Sequence, residues 1–317
     1  MSDLSEMLRG AAAGERLALA RLLTAIENDA PGLRDLLPAL FAAGKGGHLV
    51  GITGPPGSGK STLVNALTDE WRRRGKRVGI VAVDPSSPYT GGAIMGDRIR
   101  MMDHAADRDV FMRSMASRGE LGGIAAATWM AAAALDAAGY DPILIETVGA
   151  GQSEVEIARL AETTVVVEVP EMGDEVQAIK AGLLEVADLL VVNKGDRPDA
   201  DLAARHLRAM LSTAGGRVGR KPPPILVTTA STGEGVPELL AALDRHRATA
   251  REVESGGARR ARAEAQVWAI LGERLRASLV APERRTSTEA VLEDVAAHRL
   301  DPYAAADRLL TELLAAR

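Results

Sequence analysis

The chain has 317 residues, of which 46% are hydrophobic and 26% charged, with a formal net charge of −5. That mixture is globular, suits about two domains or one large α/β domain with extensions, and carries no bulk basic field for nucleic acid or an anionic membrane. Cysteine is absent and aromatics are 3%, which excludes disulfides, Cys-ligated zinc, iron–sulfur clusters and a thiol nucleophile, and leaves a core of Val, Ile, Leu, Met and Ala.

Residues 1–44 read as helical, with Leu17, Leu19, Ala20, Leu22, Leu23 and Ile26 at near-helical spacing and a break at Asn28-Asp29-Ala30-Pro31-Gly32. The acidic opening Met-Ser-Asp-Leu-Ser-Glu has the character of neither a signal nor a transit peptide. The Ala-rich stretch 122–139 carries Asp136 and is too weakly apolar to span a bilayer. A cytoplasmic protein is expected. Gly44-Lys45-Gly46-Gly47 reads as a hinge-like linker.

From His48 the texture changes. Apolar runs at 49–53, 77–83, 142–145, 163–169, 189–193 and 225–229 alternate with helical segments, of which 61–74 follows a glycine-rich loop. Near-continuous apolar strands alternating with helices predict an α/β fold, a doubly wound, mostly parallel sheet. After about Val236 the strands stop, and 237–252, 261–280 and 288–316 read as helices. The expected organisation is a helical N-terminal extension over 1–46, a P-loop domain over 47–250 and a helical C-terminal arm over 251–317.

Gly54-Pro55-Pro56-Gly57-Ser58-Gly59-Lys60-Ser61-Thr62 matches G-x-x-x-x-G-K-[ST] in full, after a strand and at the start of a helix. Glycines let the backbone curl so that its N–H groups converge on phosphate oxygens, and the helix N-terminus adds its dipole. Lys60 is the charge for the terminal phosphates, and Ser61 offers a hydroxyl to Mg²⁺.

Asn193-Lys194-Gly195-Asp196 closes a later strand as N-K-x-D. A carboxylate at Asp196 can accept from guanine N1–H and its exocyclic amine, a donor pair adenine lacks. Lys194 can lay its aliphatic stem over the base, and Asn193 would tie the loop to the P-loop. Thr229-Ala230-Ser231 follows the next strand, where a backbone N–H is within reach of guanine O6. The expected ligands are therefore GTP and GDP with Mg²⁺. Glu146-Thr147-Val148-Gly149 gives E-x-x-G where D-x-x-G is usual: Glu146 can hold Mg²⁺ through a water, and the Gly149 N–H can sense the terminal phosphate. No glutamine follows Gly149 directly, Gln152 being displaced by two residues, so intrinsic hydrolysis should be slow. Asp84 and Asp97 are further candidate carboxylates for the metal; the alternatives are a turn acid ahead of Pro85 and a solvated surface acid.

These residues resemble a known family. Glu146-Thr147-Val148-Gly149 with Gln152-Ser153-Glu154 is similar to the signature of the P-loop GTPases that serve metalloenzymes. Val83-Asp84-Pro85-Ser86-Ser87-Pro88, Gly96-Asp97-Arg98, Arg113-Ser114-Met115-Ala116-Ser117-Arg118-Gly119 and Gly173-Asp174-Glu175 resemble the MeaB/ArgK branch, the methylmalonyl-CoA mutase-associated GTPases. The likeness covers roughly residues 15 to 240. It implies a homodimeric GTPase of the SIMIBI class with a helical dimerisation arm. It also implies a chaperone of an adenosylcobalamin-dependent acyl-CoA mutase, with methylmalonyl-CoA mutase the default partner and its adenosyltransferase a second candidate. The family's switch III lysine maps to Lys180, which would act in catalysis with Lys60 and Glu146; Arg113 and Arg118 are the next candidates for a charge-stabilising role. Gly195 stands where the family often has alanine; that position is not a base ligand, so specificity should survive.

The five histidines are scattered singly and no cobalamin-ligating D-x-H-x-x-G pattern occurs, so no protein-bound cobalamin is expected. An alternative is a metallochaperone GTPase for another metalloenzyme, but the chain lacks the Cys pairs and His-rich tracts that such proteins use. A small-molecule kinase, the old lysine/arginine/ornithine transport description of some members, would leave N-K-x-D unexplained.

Overall fold

A computed structural model describes residues 2–84, 104, 106–116, 123–147, 160–170, 186–213, 222–253 and 257–315. The chain divides into two compact units, Met1–Arg262 and Ala263–Arg317. In the first, α1 (Ser2–Ala12), α2 (Arg16–Glu27) and α3 (Leu33–Ala42) precede β1 (Leu49–Thr53), α4 (Lys60–Arg73), β2 (Val78–Asp84) and β3 (Val110–Ala116). Then come α5 (Gly123–Ala137), β4 (Ile143–Thr147), β5 (Thr163–Glu168), β6 (Leu189–Val192), α6 (Ala200–Thr213), β7 (Ile225–Val227) and α7 (Val236–Val253).

The seven strands form one sheet in the order β3-β2-β4-β1-β5-β6-β7, and every pairing is parallel. Parallel strands need crossovers, and helices on both faces make both faces apolar. On one face Leu63, Val64, Leu67 and Trp71 of α4 and Leu239, Leu240 and Leu243 of α7 cover Val50, Ile52, Leu144, Val165 and Val191. On the other, α1–α3 and the alanine-rich α5 cover Val81, Val83, Phe111, Met115, Ile143 and Ile145. Further along that face Ala200, Ala204 and Leu207 of α6 pack on Val192.

The N-terminal helices thus complete one layer of the sheet. The 44–47 segment is tied on both sides: Asp136 accepts from Gly46 N (3.2 Å) and Gly47 N (2.7 Å), and Arg247 Nη2 donates to Gly46 O (2.9 Å). β3, an edge strand, has no counterpart among the expected apolar runs, because Arg113 and Ser114 interrupt its apolar character. Arg113 Nη2 lies 2.6 Å from Glu27 Oε2 of α2, on the face away from α4 and three strands from β1.

The N-terminal ends of the strands carry a polar cluster opposite the glycine-rich loop. Thr163 Oγ1, buried at the start of β5, lies 2.7 Å from His48 Nε2 and 2.8 Å from His246 Nδ1. His246 Nε2 in turn lies 3.4 Å from Asp188 Oδ1. Beside it, Asp141 accepts from His48 N (2.9 Å) and pairs with Arg247 at 3.0 Å.

The C-terminal helices are α8 (Gly257–Val280), α9 (Arg285–Ala296) and α10 (Pro302–Ala315). The single helix expected over 288–316 is two helices. His298 adopts a φ of 55°, a left-handed turn that stops α9. Asp301 Oδ1 then accepts from Tyr303 N and Ala304 N, an N-cap with Pro302 at the first helical position.

Candidate functional site

The glycine-rich loop leaves the C-terminal end of β1 in mid-sheet and feeds α4. Gly54 has a φ of 139°, and a Cβ there would lie 2.1 Å from Val167 O of β5. Gly59, the residue before α4, has a φ of 85°, and a Cβ there would lie 2.4 Å from Asn193 Nδ2. Both positions need glycine, for left-handed backbone and for close approach. Gly57 lies between them with a φ of 74°. Ser58 is fully buried, and its Oγ has no hydrogen-bond partner among the described residues. Lys60 is buried, with Nζ donating to Gly54 O and Pro55 O, each at 2.8 Å. Ser61 and Thr62 lie in the exposed first turn of α4.

Ser61 Oγ donates to Glu146 Oε1. Glu146 is buried near the end of β4, in register with Ile52 of β1. A hydroxyl and a carboxylate side by side at the mouth of the loop are hard oxygen donors, the set a Mg²⁺ ion takes, and these two residues fit that ion. Asp84 is the last residue of β2, paired in register with Ala116. Asp97, Gly149, Lys180 and Arg118 lie outside the described residues.

Asn193 joins the two halves of the site. It is buried immediately after β6. Its Nδ2 donates to Ser58 O at 2.9 Å, and its Oδ1 accepts from Ala230 N at 3.1 Å and Thr228 Oγ1 at 3.2 Å. One amide side chain thereby links the phosphate loop, the N-K-x-D loop and the 228–231 loop. Lys194 follows with a φ of 59°, Asp196 is exposed, Thr229 and Ala230 are buried and Ser231 is exposed. Thr229 N donates to Glu234 O at 2.9 Å, which closes that loop. The residues missed from the sequence are Thr228, one place before the motif considered, and the buried hydroxyl pair Thr53–Thr147 at 3.1 Å beneath the P-loop. Neither has a signal in a linear pattern, since each is defined by a partner on another strand.

A G-x-x-x-x-G-K-[ST] loop held by one asparagine to an N-K-x-D loop, at the C-terminal edge of a parallel sheet, is the arrangement of a P-loop GTPase. Among the described residues no helix is long and apolar enough to cross a membrane. The family model for the methylmalonyl Co-A mutase-associated GTPase MeaB matches residues 19–284, and the chain belongs to that family. A putative GTPase of Pyrococcus horikoshii is 44% identical, with 99% of each chain covered. The GTPase ArgK of Escherichia coli is 38% identical over 75% of this chain and 74% of its own. The mitochondrial methylmalonic aciduria type A homolog of Mus musculus is 35% identical over 73% of this chain and 60% of its own. Among solved structures, one described as an LAO/AO transport system kinase superposes with a TM-score of 0.72 at 26% identity, over 99% of this chain and 98% of its own. The chain is a GTP hydrolase of this family.

Proposed function

We propose that this GTPase acts in the cytoplasm as a chaperone of an adenosylcobalamin-dependent acyl-CoA mutase, its nucleotide cycle gating cofactor loading and protecting or reactivating the mutase. Support for the partner comes from the family, described as mutase-associated, and from the mouse relative named for methylmalonic aciduria. Methylmalonyl-CoA mutase or a close relative is the partner, and its adenosyltransferase is a further one that the reading admits.

The observation that carries the nucleotide chemistry is Asn193 bridging Ser58 O and Ala230 N. On this reading the loop 54–62 and the α4 N-terminus hold the phosphates, and Lys60 exchanges its two carbonyl partners for phosphate oxygens. Ser61 and Glu146 hold Mg²⁺, with Asp84 and Asp97 as the remaining carboxylate candidates. When bound, the ion supplies charge neutralisation at the phosphate oxygens. Asp196 selects guanine, Lys194 covers the base, and the 229–231 loop offers a backbone N–H to O6. Because no glutamine follows Gly149, the attacking water is poorly positioned and basal turnover is slow. The mutase then accelerates turnover, with Lys180 as the residue it brings into catalysis alongside Asp97 and Gly149.

Residues 1–46 act as a helical extension, 47–250 as the G domain and 251–317 as a dimerisation arm. Support for a homodimer is the run of exposed apolar residues along α8: Val267, Trp268, Ile270 and Leu271.

The test is GTP turnover with and without a cognate adenosylcobalamin-dependent mutase. Stimulation by the mutase, and a complex on gel filtration in GDP or a non-hydrolysable GTP analogue, are expected. Neither stimulation nor complex would overturn the chaperone reading.

A further inference from the structure

We propose that Thr53 and Thr147 are positioning residues of the metal site: their buried hydroxyl contact sets where the end of β4, and with it Glu146, stands against the phosphate loop. The inference rests on the reading above, in which Ser61 and Glu146 hold Mg²⁺. β1 and β4 are parallel neighbours with Ile52 opposite Glu146, and Thr53 and Thr147 are the next residues along, each the last of its strand. Both are fully buried, and Thr147 Oγ1 donates to Thr53 Oγ1 at 3.1 Å. Successive side chains of a strand point to opposite faces. Leu144, two places before Glu146, packs with the residues of α4, and Ile145, two before Thr147, packs on the other face. Consecutive residues of β4 therefore reach the two ends of one loop from opposite faces of the sheet. Glu146 meets Ser61, the second residue of α4, and Thr147 meets Thr53, the residue before Gly54.

The two contacts differ in what the metal does to them. Ser61 and Glu146 give up their mutual bond in favour of the ion, so that contact comes and goes with it. Thr53 and Thr147 are both 0% exposed and reach neither ion nor nucleotide, so theirs persists. Their neighbours in the same row of the sheet are valines: Val83 of β2 lies opposite Thr147, and Val166 of β5 lies opposite Thr53. Valine has the shape of threonine, and exchanging both partners of a buried hydrogen bond for apolar groups of the same shape is nearly neutral for stability. Stability alone therefore does not call for hydroxyls at 53 and 147. What they add over a valine pair is direction, since apolar burial is non-directional and a hydrogen bond weakens steeply off its axis. The pair fixes the offset of β4 against β1 at the level of Glu146, and so keeps that carboxylate in place after it has released Ser61.

The experiment compares wild type, T53V/T147V, T147V, T147S and E146Q. Calorimetry measures GDP affinity in Mg²⁺ and in EDTA, and GTP turnover is followed as Mg²⁺ is titrated. T53V/T147V should melt within about 3 °C of wild type and bind GDP in EDTA within about twofold, because the exchange is close to neutral for the fold. Its Mg²⁺ concentration for half-maximal turnover should rise about tenfold, in keeping with about 10²-fold for a full 1 Å misplacement. The gain in GDP affinity on adding Mg²⁺ should shrink by a similar factor. T147S keeps the hydroxyl and should match wild type in both Mg²⁺ readouts, while T147V should be impaired like the double variant; that comparison stands even if the double variant does not fold. Wild-type Mg²⁺ dependence in T53V/T147V overturns the proposal. So does T147S behaving like T147V, or a loss of GDP affinity in EDTA as large as that in Mg²⁺, which is what a merely structural pair would give. E146Q separates this inference from the reading beneath it. If E146Q keeps wild-type Mg²⁺ dependence, the metal assignment falls and this inference with it; an impaired E146Q beside an unimpaired T53V/T147V overturns this inference alone.

Discussion

Replacing Asn193 by alanine tests how the site is assembled. The side chain is 2% exposed and makes three hydrogen bonds, to Ser58 O, Ala230 N and Thr228 Oγ1. Each bond contributes about 0.5–1.5 kcal/mol net, and a buried group left without its partner adds to the cost. The loss is about 3 kcal/mol in total. For a unit of this size, at about 2–4 °C per kcal/mol, the melting temperature falls by about 6–12 °C. Asn193→Asp should be worse, because a carboxylate oxygen would face Ser58 O where an N–H now donates. The phosphate loop and the base loop would no longer share a common frame, so GDP affinity drops more than tenfold in either variant. Saturating GDP would also raise the variant's melting temperature less than the wild type's, since stabilisation scales with occupancy over Kd. Calorimetry and thermal scans read both quantities. A melting shift below about 2 °C with GDP affinity within twofold of wild type would refute the claim that Asn193 links the loops.

Thr163→Val removes the hydroxyl that both His48 Nε2 and His246 Nδ1 contact and should cost about 1–3 kcal/mol in urea unfolding, with GDP affinity unchanged. The acid limb of stability should depend on Asp141. Burial pushes its carboxyl up, but the His48 N–H, Arg247 and Lys76 outweigh that and hold it below the usual carboxylate range. Its stabilisation is therefore complete above the unfolded value of about 3.9 and is lost as pH falls through the lower folded value; Asp141→Asn should be less stable at pH 7 and lose less between pH 4 and pH 2. Light scattering should find a dimer for the full chain and a monomer for Trp268→Glu/Leu271→Glu or for a chain ending near residue 260. A dimeric double variant would exclude α8 as the interface.

Features encoded by local chemistry are legible in the chain itself. Six of the seven strands coincide with apolar runs, because burial on both faces erases alternation and leaves a continuous signal. The phosphate loop is legible because its glycines are needed for backbone reasons within nine residues. The break before α10 was also written locally, in Asp301-Pro302 as N-cap and first helical residue, although the periodicity of 288–316 hides it. Other features arise only in three dimensions. β3 is a strand because Val78–Asp84 lies beside it and α2 covers it, and Arg113 sits mid-strand only because Glu27 neutralises it. The order β3-β2-β4-β1 places Glu146 next to Ser61 from 85 residues away. Asn193 reaches Ser58 across 135 residues. Periodicity and backbone preference act over a turn or a strand, so they identify elements and loops. Which side chains become neighbours depends on strand order and on which face each strand turns to which helix, and that is settled only when the layers pack.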